Sequence, residues 1–343
     1  MALWTYILRD GANAPVTRQI SDHELSWALA RTVLGYSISL PNRARFAAIM
    51  QSVLDLMVEP VSGPLALIAD YQQVFRDFSG TSRVGELGQA LAYHHFATAS
   101  PFTHIADFVG WVESRGGDVK GESTPDFILL NAASSRRPVG LLEAKGSVNP
   151  QAKSARLDRG KEQGENGRAI LRRVSPSIRV RHILAGFTQF AIRGQTRGPT
   201  TLHLMDPEGR QPDLSDAVLA RLVRASYASF FSSLGHRETA RVLQSGEPIQ
   251  FQPELELAKH PAGRFPFARI PINRENPLTG SEARKADVRW IDAKFFLRDD
   301  VLQFLNGRIA VTQVEWPDAR ERQLSTAGGI TLYADGTAFA VPA

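Results

Sequence analysis

Two neighbouring stretches, TPDFILLN (124–131) and PVGLLEAKGS (138–147), decide how this chain is read. Phe127 to Leu130 and Val139 to Leu142 are unbroken apolar runs, short and bounded by turn residues, as expected of strands buried on both faces. Asp126 opens the first run; Glu143 and Lys145 stand two apart near the end of the second. The two-residue period of a strand puts Glu143 and Lys145 on one face. If the strands pair, Asp126, Glu143 and Lys145 converge at one edge of a sheet. Charged groups at the ends of buried strands are costly unless paired or metal-bound, so the pattern points to a functional site, with a structural salt bridge as the plain alternative. Two carboxylates can hold Mg²⁺ or Mn²⁺, hard ions that prefer oxygen ligands. A lysine beside them can orient water or steady charge developing on phosphorus, which is the requirement of phosphodiester hydrolysis.

Working outward, VGELGQALAYHHFATA (84–99) predicts a helix and THIADFVGWVES (103–114) a strand or short amphipathic segment. Downstream, a long basic helix over 151–173 leads to a strand in RHILAGFTQFAI (181–192), another in TTLHLMDP (200–207), and a helix over 214–234. The order is α-β-β-β-α-β with an α/β extension. The first 80 residues read as mostly helical. Ser21 and Glu24 have capping-box spacing before HELSWALARTVL, Asn42 can cap RARFAAIMQSVLDLMV, and a third helix is expected over 64–78. Ser79-Gly80-Thr81-Ser82 reads as a breaker, setting a boundary between a helical region 1–80 and a core 81–235. The remainder, 236–343, reads as a mixed α+β extension closed by a hairpin in ITLYADGTAFAV, with Asp335-Gly336 as a two-residue turn.

Composition narrows the chemistry. With 343 residues, 43% hydrophobic and 22% charged, the chain has the make-up of a globular protein. It contains no cysteine, which excludes disulfides, thiolate metal sites and a cysteine nucleophile. The longest apolar candidate, 46–69, is interrupted by Gln51, Asp55, Glu59, Pro60 and Pro64, and the N-terminus lacks the pattern of a secretory signal. A cytoplasmic protein without a membrane partner is the expectation. Between 136 and 181 stand twelve Lys or Arg and four acids, a net +8, so the rest of the chain carries −3 of the +5 total. Such local basicity suits a nucleic-acid-facing stripe, or else a solvated helix face.

Pro125-Asp126 followed by Glu143-Ala144-Lys145 resembles the PD-(D/E)xK signature of restriction-endonuclease-like nucleases. The resemblance covers roughly a third of the chain, and its αβββαβ core matches the element order between about 81 and 192. It implies a metal-dependent nuclease with Asp126 and Glu143 as ligands of Mg²⁺ (or Mn²⁺) and Lys145 as the catalytic lysine. Glu86, on the helix before the core strands, becomes a further ligand or a group that positions water. On the basic helix, Lys153, Arg156, Arg159, Lys161, Gln163, Arg168 and Arg172 become the nucleic-acid-binding side. By analogy DNA is favoured over RNA, and restriction or anti-phage defence, with a homodimer or a partner protein, is a fitting setting. A non-catalytic nucleic-acid-binding or scaffold subunit, and an indiscriminate DNA- or RNA-degrading toxin effector, are the alternatives.

Other patterns carry less. His94, His95, His104 and Asp107 cluster in sequence without metal-site spacing, and no Gly-x-Ser-x-Gly element is present. Gly160, Gly164 and Gly167 lack the Lys-Ser/Thr of a phosphate loop. Trp111, Trp290 and Trp316 read as core or interface aromatics.

Overall fold

The computed structural model describes residues 2–11, 13–33, 54–74, 78–100, 102–132, 139–195, 198–205, 215–252, 254–258, 266–271, 294–317 and 330–340. Its order begins β1 (Leu3–Asp10), β2 (Val16–Ser21), α1 (Asp22–Val33), β3 (Gly63–Pro64), β4 (Ala66–Leu67), α2 (Tyr71–Val74), α3 (Phe78–Ala99), β5 (His104–Asp107) and α4 (Phe108–Ser114). It continues with β6 (Phe127–Leu130), β7 (Val139–Ser147), α5 (Lys153–Val174), β8 (Val180–Gln189), β9 (Ala191–Ile192), β10 (Thr201–Met205), α6 (Asp216–Ser226), α7 (Ala228–Ser233) and α8 (Arg237–Gln244). The described C-terminal elements are β11 (Glu254–Ala258), β12 (Phe267–Ile270), β13 (Lys294–Arg298), α9 (Asp299–Leu305), β14 (Ile330–Leu332) and β15 (Thr337–Ala340). The protein is a mixed α/β structure built on an eight-stranded sheet of order β2-β1-β10-β8-β7-β6-β5, with β3 also on β1.

The central strands form as their apolar runs dictate. β6 is buried throughout and pairs antiparallel with β5 and β7, while β7 and β8 run parallel. Alternation sorts the side chains between two cores. Phe127, Leu129, Leu142 and Ala144 join Leu87, Leu91 and Tyr93 of α3 on one face. Ile128, Leu130 and Leu141 join Ile170 and Leu171 of α5 on the other. Helix α5 presses on this second face through glycine. A Cβ at Gly160 would stand 2.9 Å from the Ala185 Cβ, one at Gly164 2.3 Å from the Ile183 Cγ2, and one at Gly167 2.6 Å from the Pro125 Cδ. The i, i+4, i+7 spacing that does not make a phosphate loop makes a helix face flat enough to lie against β7 and β8.

The N-terminal 80 residues differ from the helical expectation. α1 and its capping box are present: the Ser21 N–H donates to Glu24 Oε2 (2.7 Å) and the Glu24 N–H to Ser21 Oγ (3.2 Å). But β1 and β2 pair antiparallel, and β1 adds parallel to β10. Trp4, Tyr6 and Leu8 alternate into the core, the strand signature that the helical reading passed over. The expected third helix is two short strands and a single turn, β3, β4 and α2, which fits a stretch holding Pro60, Gly63 and Pro64. The helix expected over 42–59 lies mostly outside the described residues. Nor does Ser79-Gly80-Thr81-Ser82 end anything; it lies in the first turns of α3, where N–H groups lack intrahelical partners and small residues are tolerated.

The boundaries at 81 and 236 do not separate independent cores. One apolar cluster runs from Trp27 through Phe108 and Ile128 to Phe230, Phe295, Phe304 and Tyr333. Arg31, 4% exposed, pairs with Asp335 at 3.5 Å, donates from Nε to Ser229 Oγ (3.1 Å) and lies over the rings of Trp27, Tyr93 and Phe230. The C-terminal hairpin is present, with Leu332 opposite Ala338, and the Ala334 N–H donates to the Ala97 carbonyl of α3. Its loop is longer than the expected two residues. The Tyr333 N–H bonds the Thr337 carbonyl, the Gly336 N–H bonds the Tyr333 carbonyl, and Gly336 takes φ 78°. That is a type I turn closed by a left-handed residue, the usual three-residue solution.

Candidate active site

Asp126 is pinned by its backbone before its side chain is considered. Its N–H donates to the Leu142 carbonyl (3.0 Å), and its own carbonyl accepts from the Phe108 N–H (3.1 Å). Its carboxyl group lies within hydrogen-bonding reach of the Glu143 carboxyl group. The Asp126 Oδ2 accepts the Ala144 N–H at 2.9 Å. Glu143 is 1% exposed, and its Oε1 is in contact with the Lys145 Nζ, whose side chain is 35% exposed. Gly160 of α5 lies over this pair, where a Cβ would stand 3.6 Å from the Glu143 Cβ. The structure therefore brings together the three residues the sequence singled out.

Burial pushes both acids up. For Asp126 desolvation is the leading cause, opposed by Lys145 and by hydrogen bonds with the Ala144 N–H and the Glu143 and Gln89 side chains. Glu143 is raised to about 8, first by burial and next by the Asp126 charge, with Lys145 opposing. Burial by itself would lower Lys145, but Asp126 and Glu143 outweigh it and hold the ammonium above its ordinary value. Beyond Lys145 and Asp126, the buried Glu143 oxygens find no donor among the described residues. A buried carboxylate short of donors beside a second carboxylate suits a hard divalent cation. Among the described residues no group of three or more His, Asp or Glu could hold a metal by itself. A cation at Asp126 and Glu143 would thus draw its remaining ligands from amide or backbone oxygen, water and substrate, as Mg²⁺ commonly does.

Glu86 falls elsewhere. Its carboxylate pairs with Arg83 at 2.6 Å, and it is not among the groups acting on Asp126, Glu143 or Lys145. The α3 side chain that reaches Asp126 is Gln89, three residues on, which the sequence reading missed. The phase of α3 is set where Gly88 meets Gly146: a Cβ on Gly88 would stand 2.5 Å from the Gly146 Cα. A Gly-x-x-Gly-Gln run opposite a strand glycine is the only sequence signal for it.

The basic helix divides by position. Arg156 acts on Lys145 and Lys153 on His203 of β10, so the first turn of α5 faces the site. Gln163 donates from Nε2 to the Thr124 carbonyl (2.8 Å), holding the chain that enters Asp126. Arg168 pairs with Glu165 at 2.9 Å. Arg159 and Arg172 are exposed and Lys161 is half-buried. At 1.5 Å per residue Arg172 lies about 28 Å along the helix from Lys153, so the seven predicted groups do not form one cluster. His94, His95 and His104 are core residues; His104 bonds the Thr103 hydroxyl (2.8 Å) and meets Tyr227 and Trp316. Trp111 is buried beneath Arg115, and Trp290 lies outside the described residues.

No family model, no curated protein and no solved structure matches the chain. Among the described residues no helix is long and apolar enough to cross a membrane.

Proposed function

We propose that the protein is a divalent-metal-dependent nuclease that hydrolyses phosphodiester bonds, with DNA as the favoured substrate. The observation that carries the reading is the Asp126 carboxylate held on the Ala144 N–H beside Glu143, with Lys145 on Glu143. The order α3-β5-α4-β6-β7-α5-β8 around that pair, with the short α4 inserted after β5, supports the restriction-endonuclease-like core expected from the sequence resemblance. That step is an argument from fold, and the choice of DNA rests on it.

In this reading Asp126 and Glu143 hold Mg²⁺ or Mn²⁺, and the bound ion would supply Lewis-acid activation of the scissile phosphate. Asp126 can be a fixed ligand because the Ala144 N–H and Gln89 orient its carboxylate. Glu143 is held in low dielectric, where its interaction with a cation is stronger than in water. Lys145, kept protonated by the two acids, is placed to stabilise negative charge gathering on the phosphoryl oxygens and to orient the attacking water. Arg156 and Lys153 at the first turn of α5 would hold the flanking phosphates.

The test is cleavage of plasmid, linear duplex, single-stranded DNA and RNA in Mg²⁺, in Mn²⁺ and in EDTA. Metal-dependent cutting of one class, lost in Glu143→Ala, supports the reading and names the substrate. Salt-sensitive binding with no cutting by the wild type would favour a non-catalytic binding subunit.

A further inference from the structure

The row of the sheet that contains Lys145 continues well past the site. Lys145 is in register with Phe187 of β8, Phe187 with His203 of β10, and His203 with Arg9 of β1. Residues paired in register share a face, so Arg9 and His203 lie on the Lys145 side. Three strand spacings of about 4.8 Å put Arg9 about 14 Å from Lys145. Phe187 is fully buried and stacks at 6.3 Å from His203. On this face helix α5 packs against β7 and β8 and has no comparable packing against β1 or β2. The side chains there are half-buried or exposed: Thr5, Ile7 and Arg9 on β1, Thr17 and Gln19 on β2.

Charge says what this shelf fits. Lys153, at the start of α5, and Arg9 both act on His203, and with burial, the largest cause, they push its imidazole down to about 4. No carboxylate is among the groups acting on it, and neither Arg9 nor Lys153 has an ion-pair partner among the described residues. Basic groups gathered without an acid are an anion site in waiting.

We propose that the open face of β1, β2 and β10 is the track along which the phosphate backbone of the substrate nucleic acid leaves the cutting site, gripped by Arg9, His203 and Lys153. This rests on the nuclease reading and adds a task for the N-terminal hairpin. The hairpin widens the sheet beyond the strands that carry the catalytic pair, and its Arg9 adds a cation that neutralises one more phosphate.

The experiment is equilibrium binding of a fluorescently labelled DNA duplex and the matching single strand in EDTA, titrated with salt. It compares the wild type, Arg9→Ala/Lys153→Ala and, as a control on β13, Lys294→Ala. On duplex the double variant should bind about tenfold or more weakly, with a salt slope shallower by about two, because two phosphate contacts are lost. Lys294→Ala should match the wild type, and equal melting temperatures establish that the variants are folded. Binding and slope unchanged in the double variant, with the wild type binding well, would overturn the track and leave the nuclease reading standing. A wild type that binds neither probe would overturn the track, and the cleavage assay with its RNA arm then decides the nuclease reading separately. A concentration-dependent dimer dissolved by the same double substitution, with DNA binding unchanged, would assign the face to a second copy of the chain and overturn the proposal.

Discussion

The Asp126 Oδ2 accepts the Ala144 N–H just before β6 begins, which sets its carboxylate beside Glu143, and the Asp126 charge raises the proton affinity of Glu143. Glu143, raised to about 8, binds its proton more tightly in the folded protein than in the unfolded chain. Its contribution to stability is therefore complete below its ordinary pKa and is lost as pH rises through the window up to about 8. Glu143→Gln should melt higher than the wild type in EDTA at pH 8.5, by about 1–2 kcal/mol of stability, and show little gain at pH 4.5. Mg²⁺ should raise the wild-type melting temperature at pH 8.5 and leave the variant unmoved. Equal melting of the two proteins at both pH values would rule out the strained pair.

The core histidines act with the opposite sign. Burial lowers His95 to about 4 and His104 to about 3. Below the ordinary histidine pKa the unfolded chain takes up protons that the folded one refuses, so stability present at neutral pH is lost as pH falls from about 6.5 towards 4. Unfolding midpoints in urea between pH 7 and 5 should decline, and His104→Asn should show a shallower decline. An identical slope in that variant would remove His104 from the account.

Gly164 supplies a steric prediction. Alanine in the middle of a helix ordinarily gains about 1 kcal/mol over glycine. Here its Cβ would meet the Ile183 Cγ2 at 2.3 Å, and a β-branched side chain has little freedom to turn away. Gly164→Ala should therefore destabilise by about 1–3 kcal/mol, with Ile183→Ala in the same chain recovering part of the loss. A higher melting temperature for Gly164→Ala would show that α5 lies farther from the sheet.

Arg31 and Asp335 tie the first helix to the last hairpin. Asp335→Ala leaves a buried guanidinium without its carboxylate and should cost about 3–5 kcal/mol. Unfolding should remain a single transition, because the apolar cluster that contains Trp27 also contains Phe295 and Tyr333. Two separated transitions in calorimetry would restore the C-terminal region as a domain of its own.

How legible the protein was follows from the range of each signal. The strand pair holding Asp126, Glu143 and Lys145 could be read because period-two alternation is local and the charges interrupt apolar runs. The alternation of Trp4, Tyr6 and Leu8 was a local strand signal, but the joining of β1 to the central sheet could not be read, since its partner β10 lies nearly 200 residues away. The choice of Gln89 over Glu86 was not legible at all. It depends on the rotation of α3 over the sheet, fixed where Gly88 touches Gly146, and helix periodicity alone sets no such phase. The glycines of α5 were correctly denied a phosphate-loop role, but their packing against Ala185 and Ile183 could be seen only with both elements in place.

The most direct test of the central claim is the cleavage rate in Mg²⁺ of the wild type against Glu143→Ala, Lys145→Ala and Glu86→Ala. Loss of about a hundredfold or more is expected for Glu143→Ala and Lys145→Ala, with Glu86→Ala close to the wild type. Cutting that survives in EDTA or in Glu143→Ala would contradict a metal-dependent site at Asp126 and Glu143.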